Sequence, residues 1–136
     1  MFELYEHTAD LGLRARAPDL DTLFAEAARA LFAAILEDPD GVRAEERAVF
    51  DIPGGQREYL LFDWLRELLY CFDAGHRVFG RFQVNTHPCG LSASAWGENF
   101  DPARHAVNHA VKAITYHGLR VEQTADGWLA EVIVDI

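Results

Sequence analysis

The sequence predicts an α+β fold: a single compact domain over residues 1–136, in which a mixed or antiparallel sheet of about six to seven strands carries two main helices. Two segments have apolar residues at helical spacing, and several others alternate apolar and polar residues as strands do. The order along the chain is strand, helix, strand, helix and then several strands. This order favours an antiparallel or mixed sheet with both helices packed on it.

Both helices are predicted from apolar stripes with recognisable ends. The first begins after Asp19, where Asp19 or Asp21 can cap it, and the turn at 39–41 is expected to stop it. The second follows Gly55, with Gly75 as a C-cap. The residues that the two stripes bury are Leu20, Leu23, Phe24, Ala27, Ala28, Leu31 and Ile35 in the first helix, and Leu61, Trp64, Leu65, Leu68 and Phe72 in the second.

The rest of the chain has the alternation of strands. The first 17 residues hold no helical stripe and are expected to form a strand, a loop and a second strand. Residues 119–123 and 128–134 flank Asp126-Gly127 and should pair as a hairpin. The other segments predicted as strands run over 47–52, 78–84, 91–96 and 111–117.

Charge and missing motifs narrow the function. Twelve Lys/Arg against 22 Asp/Glu give a net charge of −10, and an acidic surface repels phosphate backbones, so tight nucleic-acid binding by this chain alone is not expected. The same charge also serves solubility and establishes no other function. No glycine-rich nucleotide loop or serine elbow is present, so we expect no organic cofactor. With no secretory signal or membrane-spanning apolar run, the cytoplasm is the expected compartment and no membrane contact is predicted.

Acidic residues at the two ends of the chain are candidate metal ligands. Asp10 follows His7 beside a break in the N-terminal strand, and Asp135 precedes the α-carboxylate of Ile136. Anions held close together are costly unless they are solvated or share a cation, and carboxylate oxygens suit hard cations. The alternatives stay open: Asp10 can bond local backbone N–H groups in a turn, and the C-terminus can be a solvated, frayed end.

A lysine lies within an otherwise mostly apolar strand pattern. On a strand over 111–117, Lys112 and Tyr116 would share one face, and His117 would lie on the other. Lys112 is either a functional cation or an edge-strand residue that blocks aggregation.

Zinc is a weaker hypothesis. On a helix, His105 and His109 would share a face, with Cys89, His87 or His117 as a third ligand. The glutamate of the H-E-x-x-H motif is missing, so surface or core histidines are favoured.

Taken together, these segments resemble the archease family over essentially the whole chain. The matching motifs, in order, are E-H-T-A-D-L-G near the N-terminus, the helical segments Phe24–Phe32 and Leu60–Tyr70, V-K-A-I-T-Y-H at 111–117 and the final V-D-I. The resemblance implies an accessory protein, not an enzyme, that promotes the GTP-dependent guanylylation and multiple turnover of an RtcB-type ligase in tRNA splicing and RNA repair.

The resemblance also implies a site. Asp10 and Asp135 match the metal-binding acids of archeases, Ile136 supplies the terminal oxygen, and the cation is a divalent one, Ca²⁺ foremost, with Mg²⁺ or Mn²⁺ as alternatives. Lys112, His7 and His117 fall within family motifs as further functional candidates. Two other functions are carried as alternatives: a stand-alone metal-dependent hydrolase or nuclease, which the acidic charge disfavours, and a general chaperone or adaptor.

Overall fold

The computed structural model describes all 136 residues and contains eight strands and two α-helices. In chain order these are β1 (Phe2–His7), β2 (Asp10–Ala17), α1 (Leu20–Ile35), β3 (Glu46–Pro53), α2 (Arg57–Asp73), β4 (Arg77–His87), β5 (Gly90–Asn99), β6 (Ala113–Ile114), β7 (Arg120–Thr124) and β8 (Gly127–Asp135). A short 3₁₀ turn occupies Pro39–Gly41. The α+β prediction is confirmed.

The strands divide into two antiparallel sheets where one sheet was expected. The first has the order β1-β2-β8, and the far edge of β8 is shared by β6 at one end and β7 at the other. The second has the order β3-β5-β4, with a bulge between Phe79 and Arg81. The expected strand–loop–strand unit at the N-terminus and the β7–β8 hairpin are both present. We call these sheets the five-stranded and the three-stranded sheet.

Helix α1 separates the two sheets, which explains why they do not merge. It packs on β1, β2 and β8 of one sheet and on β4 of the other. Since α1 contacts both sheets, it buries a wider surface than the predicted stripe. Ala30, Phe32 and Ala34 are buried in addition to the residues of the stripe. Helix α2 packs against α1 and both sheets, and one continuous apolar core joins all the layers.

The helix ends agree only partly with the sequence pattern. Asp19 is the N-cap of α1, and its side chain accepts a hydrogen bond from the Thr22 N–H at 2.8 Å. The helix stops at Ile35, before the turn at 39–41, because Leu36 turns extended and bridges to Val107. Helix α2 ends at Asp73 with Ala74 as its C-cap, and it is His76, rather than Gly75, that adopts a left-handed backbone conformation. No helix of the protein is long and apolar enough to span a membrane.

Candidate functional site

The acidic residues from the two ends of the chain meet at one end of the five-stranded sheet. Strand β2 begins at Asp10 and β8 ends at Asp135, and these strands are antiparallel neighbours with Leu11 opposite Val134. Asp10 and Asp135 each lie one residue beyond this pair, so the two aspartates are at the same end of adjacent strands. We call Asp10, Asp135 and the adjacent Ile136 the acid edge.

The two aspartates face away from the core. Leu11 and Val134 point inward and are buried, so the alternation of strands turns Asp10 and Asp135 to the outer face of the sheet. Both aspartates and Ile136 are half-buried. Neither aspartate side chain accepts a hydrogen bond or forms an ion pair within the protein. Their oxygens therefore remain free for a ligand.

The backbone of Lys112 borders the acid edge on its other side. Its N–H donates to the carbonyl oxygen of Asp135 at 2.8 Å, and the next residue, Ala113, pairs with Asp135 in β6. The Lys112 side chain is exposed. The backbone of one lysine is thus held beside Asp135, and its exposed side chain is attached close to the acid edge.

The prediction of a continuous strand over 111–117 is wrong. Strand β6 comprises only two residues, and the Thr115 N–H and hydroxyl still donate to the carbonyl oxygen of Ile133 beyond it. The chain then turns, and the Leu119 N–H donates to the carbonyl oxygen of Tyr116. His117 consequently lies in an exposed turn and does not share a strand face with Ala113. His7, by contrast, pairs with Asp10 across the β1–β2 hairpin and is exposed beside it.

The donor set of the acid edge suits a hard cation. Two carboxylates and a terminal carboxylate offer only oxygen ligands, which favour Ca²⁺, Mg²⁺ or Mn²⁺ over zinc. No three His, Cys, Asp or Glu side chains of the protein gather into a metal-binding group. The side chains alone therefore do not complete a coordination shell, and the α-carboxylate of Ile136 and solvent would have to contribute.

The zinc hypothesis does not hold for this structure. The segment around His105 and His109 is irregular and not helical, so the two imidazoles do not share a helix face. His105 is buried, and its Nδ1 accepts a hydrogen bond from the Asp101 N–H at 2.8 Å. With Nδ1 occupied, Nε2 carries the proton and donates to Glu98 at 3.0 Å.

Glu98 is the centre of a buried polar network that the sequence pattern did not reveal. Its carboxylate accepts hydrogen bonds from the backbone N–H of Arg43 and from the side chains of Arg104 and His105. Burial by itself would raise the pKa of Glu98, but these three hydrogen bonds and the Arg104 charge outweigh it and lower the pKa to about 2. The network fastens the segment that leads to Lys112.

A second network covers the outer face of the five-stranded sheet. Glu131 is buried and accepts hydrogen bonds from Arg14 at 2.8 Å and Arg120 at 2.5 Å. The Tyr5 ring lies over Gly12, where a Cβ atom would come within 2.2 Å of it. Burial first, and then the Glu131 charge, raises the pKa of the Tyr5 hydroxyl. Tyr5 and its neighbours therefore cover the sheet up to the acid edge.

A groove of about 890 Å³ lies at the start of α2. Tyr59 and Tyr116 line it with their rings 6.0 Å apart, and both are more than half exposed. Tyr116 also stacks on Phe62 at 4.0 Å. The groove does not include the aspartates of the acid edge, but Tyr116 follows β6 by two residues and so connects the two features.

Together, the fold and the acid edge define a class: a small two-sheet α+β domain with a helix between the sheets and acidic residues from both chain ends at one sheet edge. A family model described as the archease protein family matches residues 2–136. The chain belongs to the archease family.

Relatives and solved structures agree with this assignment. The chain is 40% identical to protein archease of Pyrococcus furiosus and 37% identical to protein archease of Sulfurisphaera tokodaii, in each case over 99% of this chain and 98% of the relative. The solution structure of Methanobacterium thermoautotrophicum protein 1598 is 31% identical, with a TM-score of 0.82 over 99% of this chain and 98% of that one. An archease from Thermotoga maritima, described as a possible chaperone, shares the fold at 20% identity, with a TM-score of 0.62 over 100% of this chain and 98% of that one.

Proposed function

We propose that this protein is a cytoplasmic accessory protein of an RtcB-type RNA ligase, which it activates by promoting guanylylation with GTP and multiple turnover. It is not itself the catalyst of ligation. The observation that carries the proposal is the acid edge, where Asp10 and Asp135 lie on neighbouring strands with their carboxylates unpaired and Lys112 fixed beside them. Membership of the archease family supports the assignment.

Asp10, Asp135 and the terminal carboxylate of Ile136 are proposed to hold one divalent cation, Ca²⁺ foremost. The cation would neutralise three anions that otherwise repel one another at this edge. Lys112 supplies a positive charge that can orient a carboxylate or contact a nucleotide phosphate. His7 and His117 are both exposed and are proposed as further contacts to the ligase.

The acid edge has the accessibility that an activator needs. It lies at the end of a sheet and not in a closed cavity, so a partner can approach it directly. Next to it, the exposed Tyr59 and Tyr116 offer aromatic surface of the kind enriched at protein interfaces. We propose that the ligase docks over this end of the molecule and covers both features.

Multiple-turnover RNA ligation by a matched RtcB-type ligase tests the proposal. Substoichiometric amounts of this protein should raise the number of ligation events per ligase, and Asp10→Ala should abolish the increase. The isolated protein should neither hydrolyse nucleotides nor cleave RNA. RNA cleavage by the isolated protein that disappears in Asp10→Ala would replace this proposal with the hydrolase alternative. Equal protection of unrelated clients by the wild-type protein and Asp10→Ala, without ligase activation, would favour a general chaperone.

A further inference from the structure

The outer face of the three-stranded sheet is exposed. The register of its strands shows which side chains lie next to one another in rows across the sheet. One row consists of Arg47, Trp96 and Arg81, in the order β3, β5, β4. The next two rows consist of Val49, Ser94 and Gln83, and then Asp51, Ser92 and Asn85. Both helices lie on the opposite side of the sheet, against the core. On this face the three rows are left open, and only the next row beyond Trp96 is covered, where Glu98 is buried under Arg104 and His105.

The first row is an indole flanked by two guanidinium groups. The guanidinium carbon of Arg81 lies 4.6 Å from the centre of the Trp96 ring, and that of Arg47 lies 5.7 Å from it. The Arg47 Nε–H is also held by the Ser94 hydroxyl oxygen at 2.9 Å. The two arginine side chains are therefore oriented by the sheet, which reduces the entropy that they would lose on binding a ligand.

Both arginines keep their charge available. Arg47 and Arg81 are exposed, and neither forms an ion pair within 4.0 Å, although the chain has ten more acidic residues than basic ones. Arg14, Arg29 and Arg77, by contrast, are all paired with glutamates. The three rows contain a single carboxylate, that of Asp51, which lies two rows or about 13 Å from Arg47 along the strand. This face is thus a cationic and aromatic area on an acidic protein.

We propose that this face binds a single-stranded nucleic acid, RNA in the first instance. The strand would place phosphates on Arg47 and Arg81 and a base against the Trp96 row, with the side chains of Gln83, Asn85 and Ser92 facing base edges. Open sheets with aromatic and basic residues bind single strands in this manner, because planar side chains stack on bases and guanidinium groups bind phosphates. An acidic peptide would use the two charges alone and would leave the planar surface and the polar amides without partners.

The net charge of −10 limits the strength of this binding. Acidic residues elsewhere repel the rest of a long polyanion, so the contact is short, weak and sensitive to salt. We expect a dissociation constant in the range of about 10⁻⁴ to 10⁻⁶ M, as for non-specific nucleic-acid binding. The binding does not require a ligase, so its test is independent of the test of the proposed function.

Fluorescence anisotropy of a fluorescein-labelled oligouridine of about 12 nucleotides tests the proposal. Arg47→Gln/Arg81→Gln should weaken binding at low salt by at least about tenfold, and should lower the slope of log affinity against log salt by about 1.4, or 0.7 for each lost phosphate contact. Trp96→Leu should weaken binding by about tenfold through lost stacking and leave the salt slope unchanged. Circular dichroism melts establish that each variant is folded.

The matched control is Arg16→Gln/Arg57→Gln, which also removes two exposed, unpaired charges. Arg57 lies over the Trp128 ring at 4.8 Å, much as Arg81 lies over Trp96, but neither control residue is on this face. The control should bind the oligonucleotide as the wild type does. Equal loss in the control and the double variant, no binding by the wild type, or tighter binding of a labelled oligoglutamate of the same charge would each overturn the proposal.

Discussion

The backbone N–H of Lys112 donates to the carbonyl oxygen of Asp135 at 2.8 Å, and this bond joins a long irregular segment to the last residues of the sheet. The segment begins after β5, is fastened at Glu98 and His105, and reaches the acid edge at Lys112. Because this hydrogen bond holds the backbone of Lys112, the Cα atom that carries the lysine side chain has a defined position next to Asp135. The role of Lys112 can therefore be tested separately from the fold.

We predict that Lys112→Ala lowers the activation of ligase guanylylation by about tenfold, the equivalent of one charge-assisted hydrogen bond. The fold should persist, because the hydrogen bond to Asp135 uses the backbone and the side chain is exposed. Guanylylation rates and light scattering are measured on the same sample. Lys112→Arg, which keeps the charge, is the control. Normal activation by Lys112→Ala together with increased aggregation would assign the residue to edge protection instead.

The acid edge should lose metal affinity when either its charge or its terminus is changed. Asp135→Asn keeps the shape and removes one charge, and a tag fused after Ile136 converts the terminal carboxylate to a neutral amide. We expect each change to weaken Ca²⁺ binding by about tenfold or more, since hard cations prefer charged oxygen ligands. Calorimetric titration of the untagged, C-terminally tagged and Asp135→Asn proteins measures this.

An N-terminally tagged protein is the control for the metal titration and should bind Ca²⁺ as the untagged protein does. Equal affinity in all four proteins would identify the C-terminal residues as a solvated end without a metal role.

Replacement of Glu98 should change stability in a way that depends on pH. The pKa of Glu98 falls from 4.5 to about 2 on folding, so the folded state favours the carboxylate. Its stabilisation is fully present above about pH 5 and is lost as the pH falls from 4.5 towards 2. Glu98→Gln should therefore lower the free energy of unfolding by on the order of 1–3 kcal/mol at pH 7, and the difference should shrink through that acid range.

Urea unfolding at several pH values measures the effect of Glu98→Gln. Glu122→Gln is the control, because the Glu122 side chain is 51% exposed in its ion pair with Arg120, and exposed pairs contribute less than about 1 kcal/mol. A difference between wild type and Glu98→Gln that stays constant down to pH 2 would contradict the assigned role of the carboxylate.

Gly12→Ala should destabilise the protein through Tyr5. The new methyl group would lie 2.2 Å from the Tyr5 ring, so the ring must move away from its contact with the Arg14 guanidinium, now 4.3 Å from the ring centre. Overpacking of this kind costs about 1–3 kcal/mol. In Tyr5→Ala the same glycine substitution should cost much less, and a double-mutant cycle by thermal unfolding measures the coupling. Additive effects would show that Tyr5 is not the source of the strain.

Much of the local structure could be predicted from the sequence. Helical spacing located both helices, and Asp19 was among the expected caps. The strands were expected close to where they lie, except that the strand predicted over 111–117 comprises only residues 113–114. These features depend on contacts within one element or between neighbours in the chain. The sequence also showed Asp10 beside a break in the N-terminal strand and Asp135 next to Ile136. The resemblance to archeases led to the hypothesis that these residues form one metal site.

Only the tertiary structure decided how these elements are assembled. Periodicity shows which side of an element is buried but not what covers it, so the division into two sheets with α1 between them was not predictable from the pattern. For the same reason, the buried partners of Glu98 and the row of Arg47, Trp96 and Arg81 went undetected, since each joins residues from separate strands or loops. The sequence by itself determined the elements and the chemical groups at their ends. The register of β2 against β8, set by burial of one face of each strand, brought Asp10 and Asp135 together across 125 residues of chain.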